Sequence, residues 1–309
     1  MTIAYACGKV ILFGEHAVVY GQPAIAVPLT QVRARATVED AELGEGITIV
    51  AEDLGRIYKL GKSPPDDPLR VTILSTLRRL KLTPEQDLTV AISSTIPIAR
   101  GLGSGAAVST AIVRALAKHF DRQLALQAVS ELVYETEKIH HSTPSGIDNT
   151  VIAYEAPIYF VKGRGMELLE IGRPFLLAIA DTGVQSSTKE VVGDVRRAWK
   201  RERARYEEIF EEIGAIAEEG RRAIELGKIE AMGRLMDENH RLLREIGVSS
   251  LKLEGLVEAA RQGGALGAKL SGAGRGGNMI ALVTKETCGR VETMLRMAGA
   301  KNVIVTEVR

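Results

Sequence analysis

The segment GLGSGAAVS, residues 101–109, places three glycines directly before an alanine-rich stretch that predicts a helix. Backbone N–H groups at such a turn can point toward one spot, where the positive end of the helix dipole adds to them, so phosphate is the natural ligand. Such small residues also let a ligand approach the backbone closely. A tight turn with Ser104 as the helix N-cap explains the same residues without any ligand.

The loop lacks both of the common nucleotide-binding signatures. No lysine follows the glycines as in G-x-x-x-x-G-K-[ST], and the dinucleotide pattern G-x-G-x-x-G with a later acidic residue is also missing. Positive charge for a nucleotide phosphate must therefore come from another part of the chain.

Two further segments combine glycine with charged side chains, GKVILFGEHAVVYG at residues 8–21 and KLSGAGRGGN at residues 269–278. Together with IPIARGLGSGAAVS, and in the same order, they resemble the signature set of the superfamily of galactokinase, homoserine kinase, mevalonate kinase and phosphomevalonate kinase, the GHMP kinases. GEHAVVYG is similar to the mevalonate kinase branch, because galactokinases carry a GEHTDY-like variant. The segment HHSTPSGIDNTV resembles the family's region around the catalytic aspartate.

The resemblance implies an ATP-dependent kinase that phosphorylates the 5-hydroxyl of mevalonate, giving 5-phosphomevalonate for isoprenoid synthesis. It also implies an α+β fold with an N-terminal lobe like ribosomal protein S5 domain 2, a ferredoxin-like C-terminal lobe and the active site in the cleft. The length of 309 residues likewise favours two lobes over one core. We expect an N-terminal ATP-binding domain over residues 1–175 and a C-terminal domain over residues 176–309.

Phosphoryl transfer to an alcohol needs a phosphate cradle, a metal ion, a cation near the reacting oxygens and a group that receives the hydroxyl proton. The resemblance matches Lys9 with the family's catalytic lysine, whose ammonium would stabilise the developing charge, and Asp148 with its general base. Read alone, Lys9 is a surface lysine at a strand edge and Asp148 a turn or cap residue. The implied phosphate cradle consists of Gly101, Leu102, Gly103, Ser104, Gly105, Ala106 and Ala107.

The resemblance also implies a metal site and an acceptor pocket. Glu137 corresponds to the family's magnesium-binding glutamate, with Ser104 as a further Mg²⁺ ligand; read locally, Glu137 is an exposed helix carboxylate beside Lys138. The residues implied to line the acceptor pocket are Glu15, His16, Thr188, Gly272 and Ala273. Read without the resemblance, His16 is a buried structural histidine.

Three positions depart from the family pattern. Gly105 stands where many members have a second serine that is often a magnesium ligand, so Mg²⁺ would depend on few protein ligands and on phosphate oxygens. Arg275 replaces a glycine and either reaches a phosphate or points to solvent. Asn278 replaces a residue that is often cysteine.

The composition is that of an ordinary globular protein. Hydrophobic residues make up 45%, charged residues 26%, and the net charge is +1, so nothing indicates binding to nucleic acid or to an anionic membrane. Cys7 and Cys288 form neither a disulfide framework nor a zinc motif. No apolar stretch approaches the ~18 residues of a membrane span. We therefore expect a cytoplasmic protein, with a homodimer as one option for its assembly.

Periodicity predicts the elements that must position these residues. Strands are expected at 32–38, 87–93, within 158–181, at 279–284 and at 302–308; helices are expected at 68–80, 106–120, 124–139, 250–262 and 286–298. A turn-rich segment covers residues 140–150. A long helical region at 188–246 is expected to break near Gly220 and Gly227.

Two alternatives keep the fold and change the function. A phosphomevalonate, diphosphomevalonate or sugar kinase is one, although a phosphorylated acceptor would call for extra Arg or Lys in the pocket and GEHAVVYG provides none. A non-catalytic sensor of nucleotide and metabolite is the other. It is disfavoured because Lys9, Glu137 and Asp148 are all present, and a sensor would have no need of them.

Overall fold

The computed structural model of the chain describes residues 1–97, 100–140 and 144–309. The chain forms two compact units, each assembled from several segments. The first consists of Met1–Gly8, Val32–Ile98 and Gly103–Glu155, and the second of Lys9–Gln31, Ala99–Leu102 and Ala156–Arg309. Two long strands, β1 (Thr2–Phe13) and β2 (Pro23–Asp40), contribute residues to both units and pair with each other.

The first unit packs four helices with a sheet. Residues 34–40 of β2 pair antiparallel with β5. Strand β3 runs parallel to β5, and β4 is antiparallel to β3. The elements are β3 (Thr48–Ala51), β4 (Arg56–Lys59), α1 (Pro68–Arg79), β5 (Leu88–Ser94), α2 (Ser104–His119), α3 (Leu126–His140) and α4 (Ile147–Tyr154). Asp67 caps α1 by accepting the N–H groups of Leu69 and Arg70. Ten of the sixteen residues of α2 are buried, which confirms the predicted buried helix.

The second unit contains a four-stranded antiparallel sheet in the order β11-β8-β10-β9. Residues 23–26 of β2 also pair with β6, and β6 pairs with β7. The elements are β6 (Ile158–Val161), β7 (Gly165–Leu168), β8 (Phe175–Asp181), α5 (Thr188–Arg201), α6 (Arg203–Glu225), α7 (Ile229–Glu245), α8 (Leu251–Gln262), β9 (Gly267–Ser271), β10 (Asn278–Val283), α9 (Cys288–Met297) and β11 (Asn302–Val308). Strand, helices, two strands, helix and strand follow one another from β8 to β11, the ferredoxin-like pattern, so the predicted α+β fold class is confirmed.

Two element predictions are wrong in part. The helical region breaks at Glu202 and after α6, near Gly227 as predicted, but Gly220 lies inside α6. A Cβ on Gly220 would lie 2.8 Å from the ring of Phe13, so this glycine allows close packing and does not end the helix. The turn-rich segment gives way to α4 at Ile147, because the left-handed Gly146 (φ 93°) ends the turn and serves as the N-cap. Residues 141–143 of that segment lie outside the described residues.

Among the described residues, no helix combines the length and the apolar character that crossing a bilayer requires. The division into domains at residue 175 stays a prediction.

Candidate active site

In the second unit, the three motif segments meet through close contacts. The backbone N–H of Lys9, in β1, donates to the carbonyl of Leu102 over 3.0 Å. A Cβ on Gly101 would lie 3.7 Å from the carbonyl oxygen of Ser271, so the predicted phosphate loop, residues 101–107, begins beside the end of β9. The hydroxyl of Ser271 in turn donates to the carbonyl of Ile11 (3.0 Å) and accepts from its N–H (3.1 Å). The described structure therefore brings together segments that are 93 to 260 positions apart in sequence.

Lys9 is 3% exposed, which contradicts its reading as a surface lysine. The residues that follow it in β1, up to Phe13, are all buried. Moving an ammonium out of water is costly unless its charge is compensated. The surroundings of Lys9 must therefore compensate its charge.

Gly14 and His16 form a strained turn after β1. Gly14 has a φ of 94°, and a Cβ there would overlap the backbone of Pro23 and Ala24. His16 has a φ of 62° and a ψ of −51°, a conformation that non-glycine residues rarely adopt. Strain of this kind persists only where the surrounding contacts hold it, and it is concentrated at functional sites.

The imidazole of His16 is held in a single tautomer. Its Nε2 lies 2.9 Å from the carbonyl oxygen of Ala273. Because a carbonyl can only accept, Nε2 carries the proton and Nδ1 is the acceptor. Burial lowers the pKa of His16 to about 4, so the ring is neutral at pH 7. The structure thus brings together two predicted acceptor residues, His16 and Ala273.

Glu15 forms an ion pair that the sequence analysis did not anticipate. One of its carboxylate oxygens, Oε1, accepts a short hydrogen bond from the ammonium of Lys269, and the two side chains are 1% and 0% exposed. Burial raises the pKa of Glu15 and lowers the pKa of Lys269, and each partner counteracts the shift of the other. Lys9 also lowers the pKa of Glu15 through its charge, so these two residues lie within electrostatic reach of each other.

The second glycine cluster, residues 269–278, is held mainly by packing. A Cβ on Gly274 would overlap the carbonyl of Val248, and one on Gly276 would lie 2.7 Å from the carbonyl of Val184. Gly272, by contrast, has only an ordinary contact at 3.7 Å with Gly101. Of the glycines in this cluster, Gly272 is therefore the one best placed to face a ligand.

Arg275 is exposed, but its side chain is bound to neighbouring groups. It has a left-handed backbone (φ 57°), and its guanidinium forms a short ion pair with Asp194 of α5. The guanidinium Nε also donates to the carbonyl of Gly247 over 3.3 Å. The ion pair attaches the glycine cluster to α5, and the reading of Arg275 as a phosphate contact stays a prediction.

Thr188 is the first residue of α5 and is half-buried, with Ser187 as the N-cap. The loop before it is fixed to the glycine cluster, because the Ser186 hydroxyl donates to the carbonyl of Gly274 over 2.5 Å and that of Thr182 to the carbonyl of Gly277 over 2.9 Å. Helix α5 therefore begins at a defined position beside the cluster.

In the first unit, the phosphate loop leads into α2. Ser104 is the first residue of the helix, and the N-cap position is taken by Gly103 with a φ of 75°. The reading of Ser104 as N-cap is therefore wrong. Because Gly103 has no side chain, it cannot satisfy the N–H groups of the first turn, which are left for another acceptor.

Hydroxyl groups connect α2 to the helix that carries Glu137. Thr72 of α1 donates to Ser109 of α2 over 3.2 Å and lies 2.8 Å from the hydroxyl of Thr136 in α3. All three side chains are buried. Glu137 follows Thr136 directly and is 6% exposed, so its reading as an exposed helix carboxylate is wrong.

Asp148 lies in the first turn of α4 and is half-buried. It follows the N-cap Gly146 by two positions, so it is not the cap itself. The next residue, Asn149, donates to the carbonyl (3.1 Å) and the hydroxyl (2.8 Å) of Ser130 in α3. Helix α4 is thereby attached to the helix that carries Glu137.

Comparison with known proteins agrees with this architecture. Residues 70–156 match the GHMP kinases N terminal domain, and residues 221–300 match the GHMP kinases C terminal domain. The mevalonate kinase of Thermococcus sibiricus is 36% identical, covering 98% of this chain and 95% of its own length. The chain belongs to the GHMP kinase family. The mevalonate kinase of Archaeoglobus fulgidus is 33% identical, covering 92% of this chain and 93% of its own length.

Solved structures of GHMP kinases have the same fold. The Leishmania major mevalonate kinase, crystallised with R-mevalonate, superimposes with a TM-score of 0.85 at 28% identity, covering 100% of this chain and 96% of the other. The Methanococcus jannaschii mevalonate kinase gives a TM-score of 0.83 at 27% identity, with coverage of 99% and 96%. As a GHMP kinase, this chain is a phosphotransferase.

Sequence reasoning missed Lys269, Ser271 and Arg100 in this GHMP kinase. Lys269 and Ser271 occupy β9, whose five residues are all buried. The detectable signal for Lys269 is a single charged residue in the otherwise apolar and glycine-rich stretch GALGAKLSGAG. Arg100 precedes the phosphate loop with its side chain 10% exposed and 3.4 Å from Asp181. Arg100 lies within the motif IPIARGLGSGAAVS, but its pairing with Asp181 depends on a contact 81 positions away in sequence.

Proposed function

We propose that this GHMP kinase transfers the γ-phosphoryl group of ATP to the 5-hydroxyl of mevalonate, forming 5-phosphomevalonate for isoprenoid synthesis. The observation that carries the substrate assignment is its similarity to curated mevalonate kinases along 98% of the chain. The buried Lys9 and the neutral, carbonyl-bound His16 support it, since both belong to the motifs expected to bind the two substrates.

ATP would be held by its phosphates at the start of α2. The left-handed Gly101 and Gly103 turn the chain there, and the first-turn N–H groups of the helix are available to oxygen acceptors. The helix dipole adds to this attraction. The loop thus supplies a cradle without a lysine of its own.

Lys9 and Asp148 would carry the chemical step. Asp148 accepts the proton of the acceptor hydroxyl as the oxygen attacks the γ-phosphorus, and the bond from that phosphorus to the bridging oxygen of ADP breaks. The Lys9 ammonium stabilises the negative charge that develops on the transferring group. Glu15 and His16 would orient the acceptor.

The residues present fit a bound Mg²⁺ ion. Among the described residues, no group of three His, Cys, Asp or Glu side chains could hold a metal. Mg²⁺ does not need one, because it retains several waters and binds through one or two protein ligands together with substrate phosphates. Glu137 and Ser104 would hold it, and the ion would neutralise charge on the phosphates.

The proposed substrate is tested by an ADP-release assay of the purified chain with ATP, Mg²⁺ and a panel of acceptors. We expect turnover with mevalonate to exceed turnover with phosphomevalonate, diphosphomevalonate, galactose and homoserine by at least about 100-fold. Higher activity with any other acceptor would overturn the substrate assignment. Inactivity with all of them, together with intact nucleotide binding, would favour a sensor.

The role of Lys9 is tested by Lys9→Met. We expect kcat to fall at least about 100-fold while the Kd for ATP changes less than about threefold, because the ammonium acts on charge that develops only in the transition state. Isothermal titration calorimetry measures ATP binding independently of turnover. Equal losses in kcat and in ATP affinity would instead assign Lys9 to ground-state binding.

A further inference from the structure

Lys269, the first residue of the motif KLSGAGRGGN, is completely buried in the second unit, although the sequence predicts no role for it. Its ammonium donates to Oε1 of Glu15 and, over 2.8 Å, to the carbonyl of Leu270. An unpaired ammonium at 0% exposure would be strongly destabilising, so the pairing with Glu15 is obligatory.

The surroundings of Lys269 fix its position. Residues two apart in a strand face the same side, and Ser271 uses that side to bond both backbone groups of Ile11 in β1. On the free edge of β9, the N–H groups of Ala268 and Leu270 are bound by side chains of α7, namely Asp237 and His240. Strand β9 thus holds Lys269 against the segment that carries Glu15.

The second oxygen of Glu15, Oε2, is buried and has no hydrogen-bond partner among the described residues. A buried carboxylate oxygen is normally satisfied. Since Glu15 directly precedes His16, an acceptor substrate that donates a hydroxyl to this oxygen would satisfy it. The unsatisfied Oε2 therefore makes Glu15 a candidate partner for a donor bound beside His16.

The charges around Glu15 can be counted from each element packed against it. Lys269 comes from β9 and Lys9 from β1, and both lower its pKa. Burial lowers the pKa of His16 and of His240 to about 4, so both rings are neutral at pH 7. Lys269 and Lys9 are thus the cations that act on the Glu15 carboxylate. Farther out, Arg275 acts on His16, and Glu254, Arg244 and Arg261 act on His240.

We propose that Lys269 is a positioning residue that cancels the charge of Glu15, so that the pocket beside His16 admits an alcohol bearing a carboxylate. The inference rests on the proposed function, in which the acceptor is the anion mevalonate. Without Lys269, the Glu15 carboxylate would repel the acceptor's carboxylate and would attract the ammonium of Lys9. Lys269 therefore acts on the acceptor through Glu15.

The test compares mevalonate with its uncharged analogue 3-methylpentane-1,3,5-triol, in which a hydroxymethyl group replaces the carboxylate. In Lys269→Met, at a pH above the pKa of Glu15 in that variant, the KM for mevalonate should rise about 10- to 100-fold, the range for like charges roughly 6 Å apart at an effective dielectric constant near 20. The affinity for the triol, measured as its KM or as its inhibition constant against mevalonate, should change less than about threefold. The KM for ATP should change just as little.

The pH dependence gives a second readout. Removing Lys269 raises the pKa of Glu15 further, because a stabilising charge is lost while burial remains. As pH rises through that pKa, Glu15 becomes negative, so the KM of Lys269→Met for mevalonate should increase with pH. The wild-type KM should stay flat over the same range.

The double variant Glu15→Gln/Lys269→Met has no charge at either position. It should recover a mevalonate KM within about fivefold of wild type and lose the pH dependence, whatever the stability of the single variant. Leu270→Ala is the matched control, because it creates a cavity in the same strand and keeps both Lys269 and Glu15. It should lower Tm and leave both acceptor affinities unchanged.

Three results would overturn the inference: equal losses for mevalonate and the triol, a pH-independent KM in Lys269→Met, or no recovery in the double variant. If Lys269→Met does not fold, the double variant and Lys269→Arg, which keeps the charge, decide the question. Both should then bind mevalonate nearly as the wild type does. If the wild type fails to phosphorylate mevalonate, the proposed function fails first; if it succeeds and these comparisons fail, only the role of Lys269 is wrong.

Discussion

Gly101 of the phosphate loop and Gly274 of the second glycine cluster have nearly the same backbone, with φ angles of 80° and 85°, but different surroundings. A Cβ on Gly101 would have only ordinary contacts, the closest at 3.7 Å from the carbonyl of Ser271. A Cβ on Gly274 would overlap the carbonyl of Val248. Glycine in the first segment turns the chain and leaves room beside it, whereas in the second it lets two backbones touch. A glycine-rich sequence alone does not distinguish these uses.

Gly274→Ala should have the largest effect on stability. It combines left-handed strain with overlap on a backbone carbonyl, and we expect a loss of about 3 kcal/mol or more in the free energy of unfolding. Urea unfolding measures it. Gly272→Ala is the control, because it has the same strain (φ 91°) and only ordinary contacts, and should lose about 1 kcal/mol. Equal losses in the two variants would remove the distinction drawn here.

Gly101→Ala should affect ATP more than the fold. We expect a loss of about 1 kcal/mol in stability from the positive φ and an increase of about tenfold in the KM for ATP, since an added methyl obstructs close approach of the phosphates. Gly55→Ala, with φ 58° and open space around it, supplies the same strain away from the loop. An unchanged KM for ATP in Gly101→Ala would mean that the phosphates do not approach this residue.

Gly105→Ser should have the smallest effect. Gly105 is the exposed second residue of α2, where serine has a better helix propensity by roughly 0.5 kcal/mol. We expect kcat within about twofold of wild type and saturation at lower Mg²⁺ concentration, because a second hydroxyl becomes available as a ligand. Titration of the rate with Mg²⁺ checks this, and abolished activity would show that the loop requires glycine here.

The fold class and most helices were predictable because their apolar periodicity is strong. Helix α1 matches its predicted range to within one residue, and α2 and α3 begin or end within two. The predicted helix break at Gly220 is wrong, because a glycine inside a helix can also allow close packing, here against Phe13. Helix propensity describes the chain by itself and contains no information about a neighbouring ring.

The sequence predicted the motif residues of the site but not the residues that hold them in place. Motif matches identified Lys9, Glu15 and His16 as candidates, but local reading made Lys9 a surface residue and Glu137 an exposed one, and both are buried. The partner of Glu15 lies 254 positions away in a strand too short to show a clear period. Pairings of this range depend on tertiary contacts, so sequence patterns cannot assign them.

The measurement that tests the central claim most directly is the kcat of Asp148→Asn with mevalonate and ATP, together with mevalonate affinity by calorimetry. If Asp148 receives the hydroxyl proton, kcat should fall by about 10² to 10⁴ while mevalonate affinity stays within about threefold, because the amide keeps the shape of the carboxylate and loses its basicity. Far-UV circular dichroism and thermal melting should match the wild type. Retention of more than about a tenth of wild-type kcat in a folded variant would contradict the account, since a general base contributes far more than that.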